Sequence, residues 1–226
     1  MGDGDAVSST VTMHLVRHGE SLWNVEGRYQ GHADSGLTEE GHRQAALFGA
    51  TFCVSAPRPD AVISSDLPRV VDTATPYARR VGAEIHVDPA LREMSVGDWA
   101  GLTFEEAAAA YPSIVARVAA GEDLARGEGG ETFAATRERV VAALTRATAD
   151  LTHHDGDHVV VVFTSGNPIR LATAHALGIP SPGHSPLGAP GNCSVTSFRT
   201  REGHCEVLRY NHDVTAAPAP DQREVS

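Results

Sequence analysis

Val11-Thr12-Met13-His14-Leu15-Val16-Arg17-His18-Gly19-Glu20-Ser21-Leu22-Trp23-Asn24 is the stretch that decides the fold. Its first half is a short apolar alternation and reads as a strand over roughly residues 11–17. At the end of that strand stand Arg17 and His18, with Gly19 next. Glycine lets the backbone turn sharply and lets an anion come close. Arginine offers a forked donor for phosphate oxygens. A neutral imidazole nitrogen can attack phosphorus and form a covalent intermediate. Arg-His-Gly alone is a weak signal, because a lone histidine is usually structural. The run on through Glu20, Ser21, Trp23 and Asn24 is far more specific.

Outward from this stretch, strands and helices alternate. A loop rich in glycine is expected from Asn24 to Gly36, then a helix from about Thr38 to Ser55, ended by Pro57 and Pro59. Ala61-Val62-Ile63-Ser64-Ser65 is a short buried strand, and a helix is expected over Asp66 to Val81, with Gly82 just beyond it. Glu84 to Val87 is a further strand. Thr132 to Leu151 is a long helix, His158 to Thr164 a central buried strand, and Asn167 to Leu177 a helix with Pro168 in its first turn. A hairpin is expected over Ser194 to Thr200 and Cys205 to Tyr210. This order predicts an α/β fold, a mixed, mostly parallel sheet sandwiched by helices. Residues 90–131 break the rhythm with two helices, Thr103 to Tyr111 and Pro112 to Ala120, and a charged, Gly-rich loop. The region is read as a helical cap insertion over about 102–131; a plain helical connection is the equal alternative. Residues 10–212 form one domain on this reading, with residues 1–9 and 213–226 as disordered tails.

The bulk numbers narrow the function. The chain has 226 residues, 41% of them hydrophobic, enough for one sizeable packed domain or two small ones. No apolar run reaches membrane-spanning length, and the first residues lack the basic flank and apolar stretch of a signal peptide. Three widely spaced cysteines read as reduced thiols of a cytoplasmic protein. A net charge of -11 argues against nucleic acid or an anionic membrane as partner. It leaves room for a small anionic substrate held by a few converging arginines. All 18 basic residues are arginine, which fits a GC-rich genome and carries no functional reading.

Two further constellations carry chemistry. Ser64-Ser65-Asp66-Leu67-Pro68-Arg69-Val70-Val71-Asp72-Thr73-Ala74 runs from a strand's C-terminal end into a helix, the edge where open α/β sheets bind ligands. Arg69 in the first turn can point back at an anion there. For this segment alone, a surface arginine is the better reading. Leu91-Arg92-Glu93-Met94-Ser95-Val96-Gly97-Asp98-Trp99-Ala100-Gly101 supplies Glu93, a carboxyl that can protonate the leaving oxygen of a phosphomonoester. For Glu93 alone, a solvated acid is the default.

Together these three segments resemble the histidine phosphatase superfamily, the phosphoglycerate-mutase-like group, over roughly residues 11–211. Gly27-Arg28-Tyr29-Gln30-Gly31 resembles the family's loop, and Leu37-Thr38-Glu39-x-Gly41-x-x-Gln44-Ala45 its helix start, with Gly36 where proline is common. Gly129-Gly130-Glu131-Thr132 resembles a Gly-Glu-Ser turn, and Asn192-Cys193-Ser194-Val195-Thr196 the start of the last hairpin. The Glu93 segment resembles the phosphatase branch; the Glu-Arg-His-Tyr run of the mutases is absent.

The resemblance implies hydrolysis of a small phosphate monoester through a phosphohistidine on His18. It implies catalytic roles for Arg17, Arg69 and Glu93, and phosphate or substrate contacts from Asn24, Gln30, Gly31, Gly166 and Asn167. No metal or cofactor is implied. The partner implied is a small phosphorylated metabolite, and a homodimer is left open.

One position departs. Phe163-Thr164-Ser165-Gly166-Asn167-Pro168-Ile169-Arg170 puts Ser165 where the family carries a second histidine. A serine offers one short, neutral donor, with a cost of about 10²–10³ in rate by analogy with losing one oxyanion donor. His184, in a Pro/Gly loop, is a conceivable replacement, though a solvent-exposed loop histidine is the more frequent case. Ser165 keeps two alternatives open: a repurposed site acting on a non-phosphate substrate by cyclisation, isomerisation or elimination, and a non-catalytic relative that binds a phospho-ligand. His153-His154-Asp155-x-x-His158 has a metal-like composition without a defined ligand spacing, and reads as a polar connection.

Overall fold

The computed structural model describes residues 9–151, 154–180 and 186–216. Among these, six strands form one sheet: β1 (Ser9–Arg17), β2 (Ala61–Ser64), β3 (Ile85–Val87), β4 (Gly156–Thr164), β5 (Val195–Arg201) and β6 (His204–His212). Their spatial order is β3-β2-β4-β1-β5-β6. The first four run parallel and the β5–β6 hairpin antiparallel. This is the mixed, mostly parallel sheet that the sequence implies.

The strand period of two places its side chains on opposite faces. From β4, Val159, Val161 and Phe163 join Val16 in a cluster under α2 (Glu39–Ser55) and α3 (Pro68–Val81), with Phe48, Phe52 and Tyr77. Val160 and Val162 point the other way, with Val11 and Leu15, against α6 (Phe133–Ala149) and α7 (Gly166–Ala176). A strand buried on both faces is therefore apolar throughout, which is why Val159 to Phe163 is a continuous run. Thr38 caps α2 by accepting the Gly41 N–H, Pro68 opens α3, and Gly82, at φ 65°, closes it in the left-handed conformation.

Several boundaries differ from the sequence reading. Ser9, expected in a disordered tail, is the first residue of β1 and pairs with Gly156. At the other end Asp213 accepts from the Thr215 backbone, and Val214 packs on the α2–α3 cluster. Ser21 nucleates a one-turn helix, α1 (Leu22–Val25), where loop was expected from Asn24. Its capping box is reciprocal: Ser21 Oγ accepts the Asn24 N–H and Asn24 Oδ1 accepts the Ser21 N–H. The helix expected from Asp66 starts two residues later, because Asp66 pairs with Arg92 instead of entering the turn.

Between β3 and α6 lie α4 (Phe104–Ala110) and α5 (Pro112–Ala119). They pack on a third apolar cluster around Met94, Val96, Trp99 and Ala107. This cluster is separate from the two that clamp the sheet. Tyr29, Tyr111 and Phe133 cover its margins.

Candidate active site

The site lies where β1, β2 and β4 end. Parallel registry sets Arg17 opposite Thr164, and the His18 N–H donates to the Thr164 carbonyl at 3.0 Å. His18 is 3% exposed. Its Nδ1 lies 2.7 Å from the Gly19 carbonyl oxygen, which can only accept. Nδ1 therefore carries the hydrogen, and the lone pair sits on Nε2. Burial, then the charges of Arg69 and Arg17, hold the ring well below the usual imidazole range. A buried, neutral imidazole with a fixed tautomer is the form a nucleophile needs.

Gly19 and Gly41 meet backbone to backbone behind this histidine. A Cβ on Gly19 would stand 2.6 Å from Gly41 O, and one on Gly41 only 2.0 Å from Glu20 O. Neither position accepts a side chain, so the start of α2 braces the turn after His18. The Gly19 N–H is held by Thr73 Oγ1 at 2.9 Å.

Arg17 and Arg69 converge on the histidine. Arg17 Nη1 donates to Pro190 O at 2.5 Å, and its Nε is buried without a partner. Arg69 is 0% exposed. Its Nη1 reaches Ala33 O at 2.8 Å and Asp34 Oδ2 at 3.0 Å, and its Nη2 reaches Gly31 O at 2.9 Å. Its Nε is likewise buried and unpartnered. Buried donors are normally satisfied, so two such guanidinium N–H groups beside one imidazole mark an anion site. The surface-arginine reading of Arg69 is excluded.

Glu93 is brought to the same place. Its Oε2 accepts the Asn167 N–H at 3.2 Å and its Oε1 the Met94 N–H at 2.6 Å. Gly166 lies between: a Cβ there would be 3.8 Å from Arg17 Nε and 3.9 Å from Glu93 Oε2. Ser165 directly precedes. It is 0% exposed, stands at the N-cap of α7 without capping it, and its Oγ has no partner. Gln30 is buried with Oε1 accepting from Ser21 Oγ at 2.9 Å, which leaves its NH₂ as donor. Gly31 contributes its carbonyl to Arg69. Asn24 Oδ1 is occupied by Ser21 N and by Asn192 Nδ2, leaving Nδ2 as its donor end.

Sequence reasoning missed the groups that hold these residues. Asn192 Nδ2 donates to His18 O at 2.9 Å and ties the last hairpin to the histidine's backbone. Asp34 anchors Arg69 by side chain and backbone. Arg139 pairs with Glu131 and donates to the carbonyls of Ala90, Arg92 and Glu93, fixing the segment that carries Glu93. Asn192 lies in a segment already matched to a family turn, the one available signal. Asp34 and Arg139 have no local signature. Cys193, behind Arg17, is buried, and burial pushes its thiol up to about 12. His184 and His153 lie outside the described residues. Among the described residues, no cluster of three or more His, Cys, Asp or Glu could hold a metal ion. No helix among them is long and apolar enough to cross a membrane.

Beside Glu93 opens a cleft of about 260 Å³, lined mostly by apolar side chains, among them Met94, Trp99, Phe104 and Phe133, and reaching Asn167. Arg126 and Tyr29 bring the polar groups.

Residues 13–213 match the model of the histidine phosphatase superfamily, branch 1. Glucosyl-3-phosphoglycerate phosphatase of Mycobacterium tuberculosis is 34% identical over 222 residues, 93% of this chain and 96% of that protein. Metal-independent phosphoserine phosphatase of Arabidopsis thaliana is 38% identical over 167 residues, 73% of this chain and 68% of that protein. The solved native structure of the mycobacterial glucosyl-3-phosphoglycerate phosphatase superposes with a TM-score of 0.80 at 30% identity, over 90% of this chain and all of that one.

Proposed function

Since the chain belongs to the histidine phosphatase superfamily, branch 1, we propose that it is a metal-independent phosphatase that hydrolyses a small phosphate monoester through a phosphohistidine on His18. The observation that carries this reading is the neutral, buried His18 beside two buried guanidinium Nε groups without partners. Relatives named as phosphatases of glucosyl-3-phosphoglycerate and of phosphoserine support a small phosphorylated metabolite as substrate.

The residues divide the work in two steps. His18 Nε2 attacks phosphorus, and the bond to the ester oxygen breaks. That oxygen takes the proton of the Glu93 carboxyl and leaves as the alcohol. Water then attacks the phosphohistidine, gives a proton to the Glu93 carboxylate, and breaks the N–P bond; phosphate departs and His18 is restored. Charge spreads over the equatorial oxygens throughout. Arg17, Arg69, the NH₂ groups of Asn24 and Gln30, and the Gly166 N–H at the start of α7 meet it, while the Asn167 N–H holds Glu93 Oε2. Ser165 stands in this reading where the family carries a second histidine. Its unpartnered Oγ supplies one neutral donor in place of an imidazole. Residues 102–131 act as the cap that receives the leaving group, on a single domain. Three free cysteines accord with a cytoplasmic setting.

The test is a panel of phosphate monoesters with the wild type, His18→Ala and Ser165→His. Phosphate release by the wild type, lost in His18→Ala and raised in Ser165→His, supports the reading. No release from any ester, with tight binding of an unrelated small molecule, overturns it.

A further inference from the structure

Arg126 is a cation in an apolar setting. It is 7% exposed, and its guanidinium carbon lies 4.2 Å from the centroid of the Phe133 ring. Nη1 donates to Leu124 O at 2.9 Å. A guanidinium has five N–H donors, and among the described residues no carboxylate lies within ion-pair distance of this one. The one carboxylate among them whose charge acts on it is Asp123, whose two oxygens are already committed to the backbone N–H groups of Phe133 and Ala134 at 2.7 and 2.9 Å. An unpaired buried charge is costly and is normally matched by a counter-ion. Here the place for one is the cleft that Arg126 lines.

The cleft has a direction. One end is Asn167, whose N–H holds the carboxylate of Glu93, and Met94, the next residue in the chain. The other polar wall is Arg126 with Tyr29. Between them lie the side chains of Trp99, Phe104 and Phe133.

We infer that Arg126 receives a carboxylate on the leaving-group side of the substrate, whose carbon skeleton lies along the apolar walls between Arg126 and Glu93. This deepens the phosphatase reading and rests on it for the direction of the substrate. One guanidinium in apolar surroundings balances one negative charge, so a carboxylate fits better than a second phosphate dianion. A planar carboxylate also matches the planar fork. A charge-assisted pair of this kind corresponds to about 10–100-fold in kcat/KM.

The experiment compares carboxymethyl- and carboxyethyl-phenyl phosphate with their carboxamides, isosteric but uncharged. The readout is the ratio of kcat/KM for acid over amide within each enzyme, so a general loss of activity does not enter. The wild type is expected to prefer at least one acid by tenfold or more, and Arg126→Met to bring that ratio to near one. No preference for either acid in the wild type overturns the inference without any variant, as does a preference that survives in folded Arg126→Met. If the wild type hydrolyses none of the four esters, the phosphatase reading stands where another ester of the panel releases phosphate and fails where none does. The subsite is then read by titration calorimetry with the same compounds. Tenfold tighter binding of an acid than of its amide supports it, and equal binding overturns it.

Discussion

Ser165→Ala separates a catalytic hydroxyl from a structural one, because the two roles move stability and rate in opposite directions. Ser165 Oγ is fully buried and has no hydrogen-bond partner. A buried hydroxyl without a partner carries a desolvation cost of about 1–3 kcal/mol, and replacing it with a methyl hydrogen removes that cost. The variant is therefore expected to be as stable as the wild type or more stable by about 1 kcal/mol. For a chain of this size that is a rise of about 2–4 °C in Tm. If Oγ donates to the phosphoryl group in the transition state, kcat and kcat/KM fall together, by about 10²–10³. The assays are thermal unfolding and steady-state release of phosphate from the best ester of the panel. A variant that loses 1 kcal/mol or more while keeping its kcat refutes the reasoning, since Oγ then serves the fold.

Three further outcomes follow from the geometry. His14 is held at about 4 by burial first and then by the charge of Arg209, while its Nδ1 meets Ser197 Oγ at 2.8 Å. A depressed histidine leaves the unfolded chain binding more protons below pH 6.5, so stability present at neutral pH is lost as pH falls toward 4. His14 alone removes about 2 kcal/mol between pH 7.5 and pH 5. Urea midpoints of the wild type and His14→Gln should differ in pH slope by that amount, and identical slopes contradict it. Asn192→Ala removes the donor that fixes the His18 carbonyl, and kcat should drop about tenfold by loss of orientation. Asn192→Asp, which has no N–H, should not restore it. Arg139→Met removes the donor to the carbonyls of Ala90 and Arg92, and one of the partners of the Glu93 carbonyl, which His32 Nε2 also meets, and of the Glu131 carboxylate, which keeps the Ser95 N–H. It should cost about 2–4 kcal/mol in denaturant unfolding and lower kcat as Glu93 loosens.

The parts legible in the sequence are those that depend on local order. Strand period, the apolar run Val159 to Phe163, the proline that opens α3 and the glycine that closes it all act within a few residues. Arg17, Arg69 and Gly166 were legible for the same reason, since each sits at the end of a strand or the start of a helix. What was not legible acts across the chain. Asn192 reaches His18 from 174 positions away, and Arg139 reaches the Glu93 carbonyl from 46. Arg139 leaves no mark on its own neighbourhood, and the segment around Asn192 marks a hairpin start without showing that its side chain reaches His18. Asn24 has a second task that its sequence did not show: its Oδ1 closes a helix cap while its NH₂ is left for an anion, and Gly31 gives its carbonyl to Arg69. Ser9 was assigned to a tail because polar residues near a terminus resemble disorder, whereas pairing with Gly156 extends β1 to include it.

The most direct measurement of the central claim is rapid-quench trapping of the covalent intermediate. The enzyme is mixed with a phosphate monoester turned over in the panel, stopped in alkali where phosphohistidine survives, and mapped by peptide mass spectrometry. A phosphoryl group on His18, formed as fast as the alcohol is released and absent in His18→Ala, is the predicted result. Alcohol and phosphate released together with His18 never labelled, or a label on any other residue, would contradict it.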